Sequence, residues 1–212
     1  MPFANIAEQF ERALLSIDRV SAQQMLRDAF QEFGQTEAVD RILTPTLEHI
    51  GEQWELGKIA LSQVYMSGVI CEEQVTSLLS KDDTVNLDIP PMAIVTFEDY
   101  HALGKRLVLS ILHAHGLPVK DFGVGIHTAA LVRMVKEHAT KILLISTLMF
   151  PSALHIADVR KQLELAGYDV RIVVGGAPFR FDDQLWEQVG ANAMGRTAAD
   201  AVKITKQLAE NL

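Results

Sequence analysis

From Pro91 onward, apolar runs of strand length alternate with stretches of helical periodicity, and few folds can accept that alternation. The runs fall at 93–97, 119–122, 142–146, 169–174 and, more weakly, 191–194. Helical patterns occupy about 103–115, 128–138, 152–166, 182–189 and 197–210. Five strands alternating with five helices predict a doubly wound parallel sheet. The usual strand order for five is 2-1-3-4-5, with the topological switch between the first and third strands, where such sheets bind ligands.

The preceding part of the chain has another texture. Residues 4 to 80 read as helices only. Ile6, Phe10, Ala13, Leu14 and Ile17 recur at helical spacing. Ser21 reads as the N-cap of a second helix with Met25, Leu26, Ala29, Phe30 and Phe33, which stops at Gly34. A third helix spans about 36–56, bent or broken near Pro45, and a fourth spans 61–79. The polar stretch up to Pro90 reads as a linker. The fold expected is α/β, with a four-helix bundle over 1–80, a linker over 81–90 and a Rossmann-like, flavodoxin-like domain over 91–212.

Composition removes several classes of function. A formal net charge of -8 without a basic block argues against binding nucleic-acid phosphates. Cys71 is the only cysteine, which excludes an internal disulfide framework, makes a zinc site implausible and fits a reducing cytoplasm. The amphipathic first 18 residues do not read as a signal peptide, and no apolar run approaches a membrane span. A soluble, cytoplasmic protein is expected.

Three stretches follow three predicted strands and face one crevice if the strand order holds. The first is Asp99-x-His101-x-x-Gly104. Asp99 and His101 lie two apart, so an extended loop points them to one side. A carboxylate beside an imidazole fixes its tautomer and leaves the other ring nitrogen free. Gly104 lets a backbone or large ligand come close. The second stretch, Ser146-Thr147-Leu148, leads to Ser152, and the third is Gly175-Gly176. Taken singly, each has a plainer reading: a solvated histidine, a helix cap or a tight turn. Together they describe a wide cleft free of large side chains, suited to a broad flat ligand with a polar tail.

The set resembles the cobalamin-binding domain of methionine synthase, the cobalamin mutases and the corrinoid proteins of methyltransferase systems. Their D-x-H-x-x-G, S-x-L and G-G signatures stand here as Asp99/His101/Gly104, Ser146/Leu148 and Gly175/Gly176. The resemblance implies that the nucleotide tail of cobalamin leaves the cobalt and enters the sheet beside the Ser146 and Gly175-Gly176 loops. It implies His101 as lower axial ligand (base-off/His-on), Asp99 as its hydrogen-bond partner and Ser152 as the relay's third member. That relay would couple the state of the cobalt to protonation. The carriers commonly read G-D-x-H-D-x-G, whereas Glu98 precedes Asp99 and Ala102 follows His101 here.

The stretch from Gly51 to Leu61 resembles the helical cap of methionine synthase and the corrinoid carriers. The resemblance places Trp54 and Leu61 over the upper face of the corrin, with Val64 and Tyr65 nearby. It implies a carrier of a methyl group on cobalamin, as methylcobalamin or another corrinoid, between a donor and an acceptor. Such a subunit does not turn over alone. Its partners would be corrinoid-dependent methyltransferase subunits and a reductive activator, and the linker would act as a hinge. The alternatives are a cobalamin-dependent sensor and a storage or delivery protein. Against the sensor, Val64-Tyr65 stands where light-sensing regulators usually carry Glu-His. His49, His113, His115, His127, His138 and His155 read as structural.

Overall fold

The computed structural model describes residues 2–78 and 89–212. Positions 81–88 of the expected linker, and with them the hinge, lie outside the described residues, as does the expected end of the fourth helix at 79. Two compact units divide the chain, and Ser110–Leu117 groups with the N-terminal helices.

The N-terminal unit holds α1 (Pro2–Leu15), α2 (Arg19–Phe33), α3 (Gln35–Ala38), α4 (Thr44–Glu55) and α5 (Leu61–Leu78), with a π-helical turn, Val39–Leu43, joining α3 to α4. Its core contains Phe10, Leu14, Leu26, Ile42, Leu43, Ile50 and Ile70, each almost wholly buried. Asp18, and not Ser21, caps α2. The Ser21 amide donates to Asp18 Oδ1 at 3.0 Å and the Ser21 hydroxyl donates to Oδ2 at 2.7 Å. A carboxylate satisfies the orphan amides of a first turn and suits its positive end. Gly34 ends α2 with φ 82°. The break foreseen near Pro45 takes the form of the π turn. The proline ring crowds the carbonyl four residues back, at Arg41, and the wider turn relieves it.

The second unit contains β1 (Met92–Phe97), α6 (Leu103–Ala114), β2 (Val119–Ile126), α7 (Thr128–Glu137), β3 (Ile142–Ser146), α8 (Phe150–Leu154), α9 (Ile156–Leu165), β4 (Arg171–Gly175), α10 (Ala177–Phe181), α11 (Leu185–Gln188), β5 (Ala193–Gly195) and α12 (Ala198–Ala209). The C-terminal turns of α6 are those that group with the first unit. The sheet is parallel with the order β2-β1-β3-β4-β5, as expected. All six positions of β1 are buried, the mark of a central strand covered on both faces. Ala93, Val95 and Phe97 join Leu131 and Val135 of α7 and Val159 and Leu163 of α9 in one core. On the sheet's other face, α12 packs on β3 and β4.

Three elements differ from the sequence expectation. β2 continues four residues beyond Phe122, through irregular pairing at Gly123 and Gly125, whose φ values are 93° and 67°. Glycines absorb such a bulge, although from sequence they read as a turn. The helix expected over 152–166 divides at His155 into α8 and α9, with Pro151 in the first turn of α8. The helix expected over 182–189 is two short helices, because Pro178 starts α10 early and Asp182 leaves it in an extended conformation.

Candidate functional site

β1 and β3 deliver their C-terminal loops side by side at the switch point, and Thr96, Ser146, Gly175 and Gly195 lie in register across four strands there. In the β1 loop, Asp99 is buried and accepts four hydrogen bonds. Oδ1 receives the His101 amide at 2.7 Å and His101 Nδ1 at 2.6 Å. Oδ2 receives the amides of Leu148 at 2.7 Å and Met149 at 3.1 Å. Burial alone would raise the Asp99 pKa, but these bonds outweigh it and hold the carboxyl below its ordinary 3.8. An ionised carboxylate only accepts, so Nδ1 carries the His101 proton and Nε2 keeps its lone pair. The His101 side chain is 60% exposed, and Nε2 has no hydrogen-bond partner among the described residues. One buried acid therefore orients an outward-facing neutral imidazole and ties the β1 loop to the β3 loop.

The glycines keep space beside this pair. A Cβ on Gly176, at φ 118°, would come within 1.9 Å of the Thr147 carbonyl oxygen, so only glycine fits. A Cβ on Gly175 would lie 3.2 Å from the Gly195 carbonyl, and one on Gly104 would face Ser146 Oγ at 3.7 Å. The strand ends thus form a strip with no side chain larger than a hydroxymethyl group between the first and last strands of the row. Around it, Tyr100, Leu148, Met149, Phe150 and Leu154 leave much of their apolar surface in solvent. A monomeric domain rarely exposes such a patch without a use for it.

Ser152 is brought close but bonded differently from the expected relay. Its hydroxyl donates to the Glu98 carbonyl at 3.0 Å, and the oxygen of Asp99 it was expected to meet is taken by the Leu148 and Met149 amides. Leu148 contributes its amide to Asp99, a role its side chain does not announce. In the N-terminal unit, Trp54, Leu61 and Tyr65 are substantially exposed, large apolar residues on α4 and α5. Val64 is buried, which leaves it no surface to offer a ligand and removes it from the expected set.

Sequence reasoning missed several contributors. Thr147, buried, donates its amide to the Gly175 carbonyl at 3.2 Å and so links the two loops. Gly125 donates its amide to the Asp99 carbonyl at 2.8 Å, and the Tyr100 ring lies over it where a Cβ would be 2.6 Å away. Lys105, in the first turn of α6, is buried with Nζ at 2.5 and 2.7 Å from the two carboxylate oxygens of Asp121 and 3.2 Å from the Gly123 carbonyl. That pair anchors the start of α6 to the bulge of β2. The glycines at 123 and 125 are the one signal that could have pointed to this anchorage.

A doubly wound sheet presenting a carboxylate-locked imidazole and a strip of small residues at its switch point defines a class of α/β proteins that receive a large cofactor there. Sequence comparison makes the assignment specific. The chain belongs to the B12-binding family, since family models described as a B12 binding domain match residues 90–204 and 6–78. Cobalamin is its cofactor. The trimethylamine corrinoid protein 2 of Methanosarcina mazei is 30% identical over 177 residues, 80% of each chain. The trimethylamine corrinoid protein of Methanosarcina barkeri is 27% identical over 209 residues, 95% of each. The structure of the monomethylamine corrinoid protein of Methanosarcina barkeri superimposes with a TM-score of 0.71 at 25% identity, covering 97% of this chain and 99% of that one. No described helix is long and apolar enough to cross a membrane.

Proposed function

We propose that this chain is the methyl-carrying corrinoid subunit of a methyltransferase system, with His101 Nε2 as the lower axial donor to cobalt. The observation that carries this reading is the pairing of His101 Nδ1 with buried Asp99 at 2.6 Å, which aims a neutral imidazole lone pair outward. When bound, the corrinoid supplies a cobalt centre able to accept a methyl group from a donor and release it to an acceptor. The chain's own part is to hold and tune. Asp99 keeps His101 in one tautomer and raises its basicity as a ligand. The row Ser146, Gly175 and Gly195, with Gly104 facing Ser146 and Gly176 beside it, leaves room for the nucleotide tail. Trp54, Leu61 and Tyr65 offer apolar cover for the methyl-bearing face.

The partners proposed are a methyltransferase that loads the carrier, a second that unloads it and a reductive activator. The relatives named above are methylamine corrinoid proteins, so methylamines are the first donors to try. A cytoplasmic setting accords with the single buried thiol of Cys71. The test is the visible spectrum of full-length protein reconstituted with methylcobalamin, for wild type and His101→Ala. A base-off spectrum in both, with a band that moves only when His101 is present, is the expected result. Wild-type protein that retains no corrinoid after gel filtration would end this reading.

A further inference from the structure

The loop that carries His101 starts from a residue in an unfavourable backbone conformation. Glu98 has φ 47°, in the left-handed region that glycine enters freely and other residues enter at a cost. Its bonds reach three elements. The amide donates to the Ile126 carbonyl at the end of β2 at 3.1 Å. The carbonyl accepts from Ser152 Oγ on α8 at 3.0 Å. The side chain, only 16% exposed, receives His155 Nδ1 on Oε2 at 2.6 Å, while His127 Nδ1 lies 3.4 Å from Oε1. Two histidines from separate elements thus converge on one carboxylate, immediately before Asp99.

We propose that Glu98, held by His155 and His127, is a positioning residue that sets where the Asp99–His101 pair is presented, an inference that rests on His101 being the cofactor's ligand. Glycine would satisfy the backbone at this position without any clamp. The glutamate instead offsets its backbone cost through partners that stand partly in solvent and can change charge, since the rings of His155 and His127 are 55% and 77% exposed. The placement of the loop then follows the protonation of those partners.

The directions agree. The hydrogen bond and charge of Glu98, aided by Asp158 on α9, raise the His155 pKa above 6.5. Burial would raise the Glu98 pKa, but the bonds and charges of His155 and His127 outweigh it and lower it below 4.5. A raised histidine stabilises fully below its unfolded value and ceases to do so as pH climbs through the folded one. A lowered carboxyl stabilises above its unfolded value and ceases to do so as pH falls through the folded one. The clamp is therefore tightest between pH 4.5 and 6.5 and loosens on the alkaline side.

The test uses the full chain without corrinoid, so it reads the loop whether or not cobalamin binds. Amide hydrogen exchange is followed at His101 and Leu148, whose N–H groups are bonded to Asp99. In wild type, protection corrected for intrinsic exchange should fall roughly three- to tenfold between pH 6 and 8.5, the size of a charge-assisted bond discounted for solvent exposure. Glu98→Gln and His155→Asn should each abolish that dependence. His155→Asn alters a half-exposed ring and serves if Glu98→Gln does not fold. A flat wild-type profile, or the same profile in a folded variant, would overturn the proposal. A second arm measures methylcobalamin affinity over the same range. It should weaken with rising pH in wild type and not in the variants. Failure to bind corrinoid at all would strike the proposed function and leave the exchange result to judge the clamp.

Discussion

Asp99 shows how much one side chain can hold when every lone-pair direction is used. Its four donors come from two loops, and replacing the acid turns half of its amide end into a donor facing donors. Asp99→Asn should cost about 2–4 kcal/mol, because the site is buried and an amide N–H is left without an acceptor. Corrinoid affinity should drop about 10- to 100-fold, the usual effect of losing the partner of a metal-binding histidine. Urea unfolding and corrinoid titration check the two effects. The pH dependence carries its own signature. The lowered pKa of Asp99 stabilises the fold above pH 3.8 and ceases to do so as pH falls through the folded value. Wild type should lose stability on acidification below pH 4, and Asp99→Asn should lose less over the same range.

Elements were legible wherever pattern alone decides them. The strand order, the buried central strand and the stop at Gly34 follow from periodicity and from glycine at a helix end. The misreadings cluster where long-range partners overrule local pattern. His155 interrupts an otherwise continuous helical stretch and spends its ring on Glu98. Gly123 and Gly125 extend β2 because the Asp99 carbonyl and the Tyr100 ring await them across the sheet end. The motif residues Asp99, His101, Gly104 and Gly176 were legible as a set. Their supports, Thr147, Glu98 and Lys105, were not, since nothing in a sequence says which amide or carboxylate a fold will bring near. The β4–α10 turn gives a test at this scale. Gly176→Ala puts a Cβ on the Thr147 carbonyl and keeps a left-handed φ, so it should destabilise by about 2–4 kcal/mol. It should also open the β3 loop, seen as faster exchange at the Thr147 amide.

For the molecule as a whole, the question is whether the helical unit takes part in holding the cofactor. Cys71 offers a reporter. It is fully buried in α5, and burial pushes its thiol far above the ordinary range, so it reacts only when the unit opens. Labelling by a thiol reagent should run at least about 1000-fold slower than for an exposed cysteine. If Trp54 and its neighbours cover the corrin, methylcobalamin at 100 times its Kd should slow labelling further, toward the roughly 100-fold limit set by mass action. An unchanged rate would confine the cofactor to the sheet unit.

The π turn at Val39–Leu43 gives the helical unit an arithmetic of its own. A widened turn takes up one residue more than an α turn, and each residue carries the chain about 100° around the axis. Every side chain of α4, Trp54 included, therefore points where it does because of how many residues precede it, whatever those residues are. A single-codon deletion inside the turn would spare every side chain of α4 and still turn that tryptophan to another side of the helix.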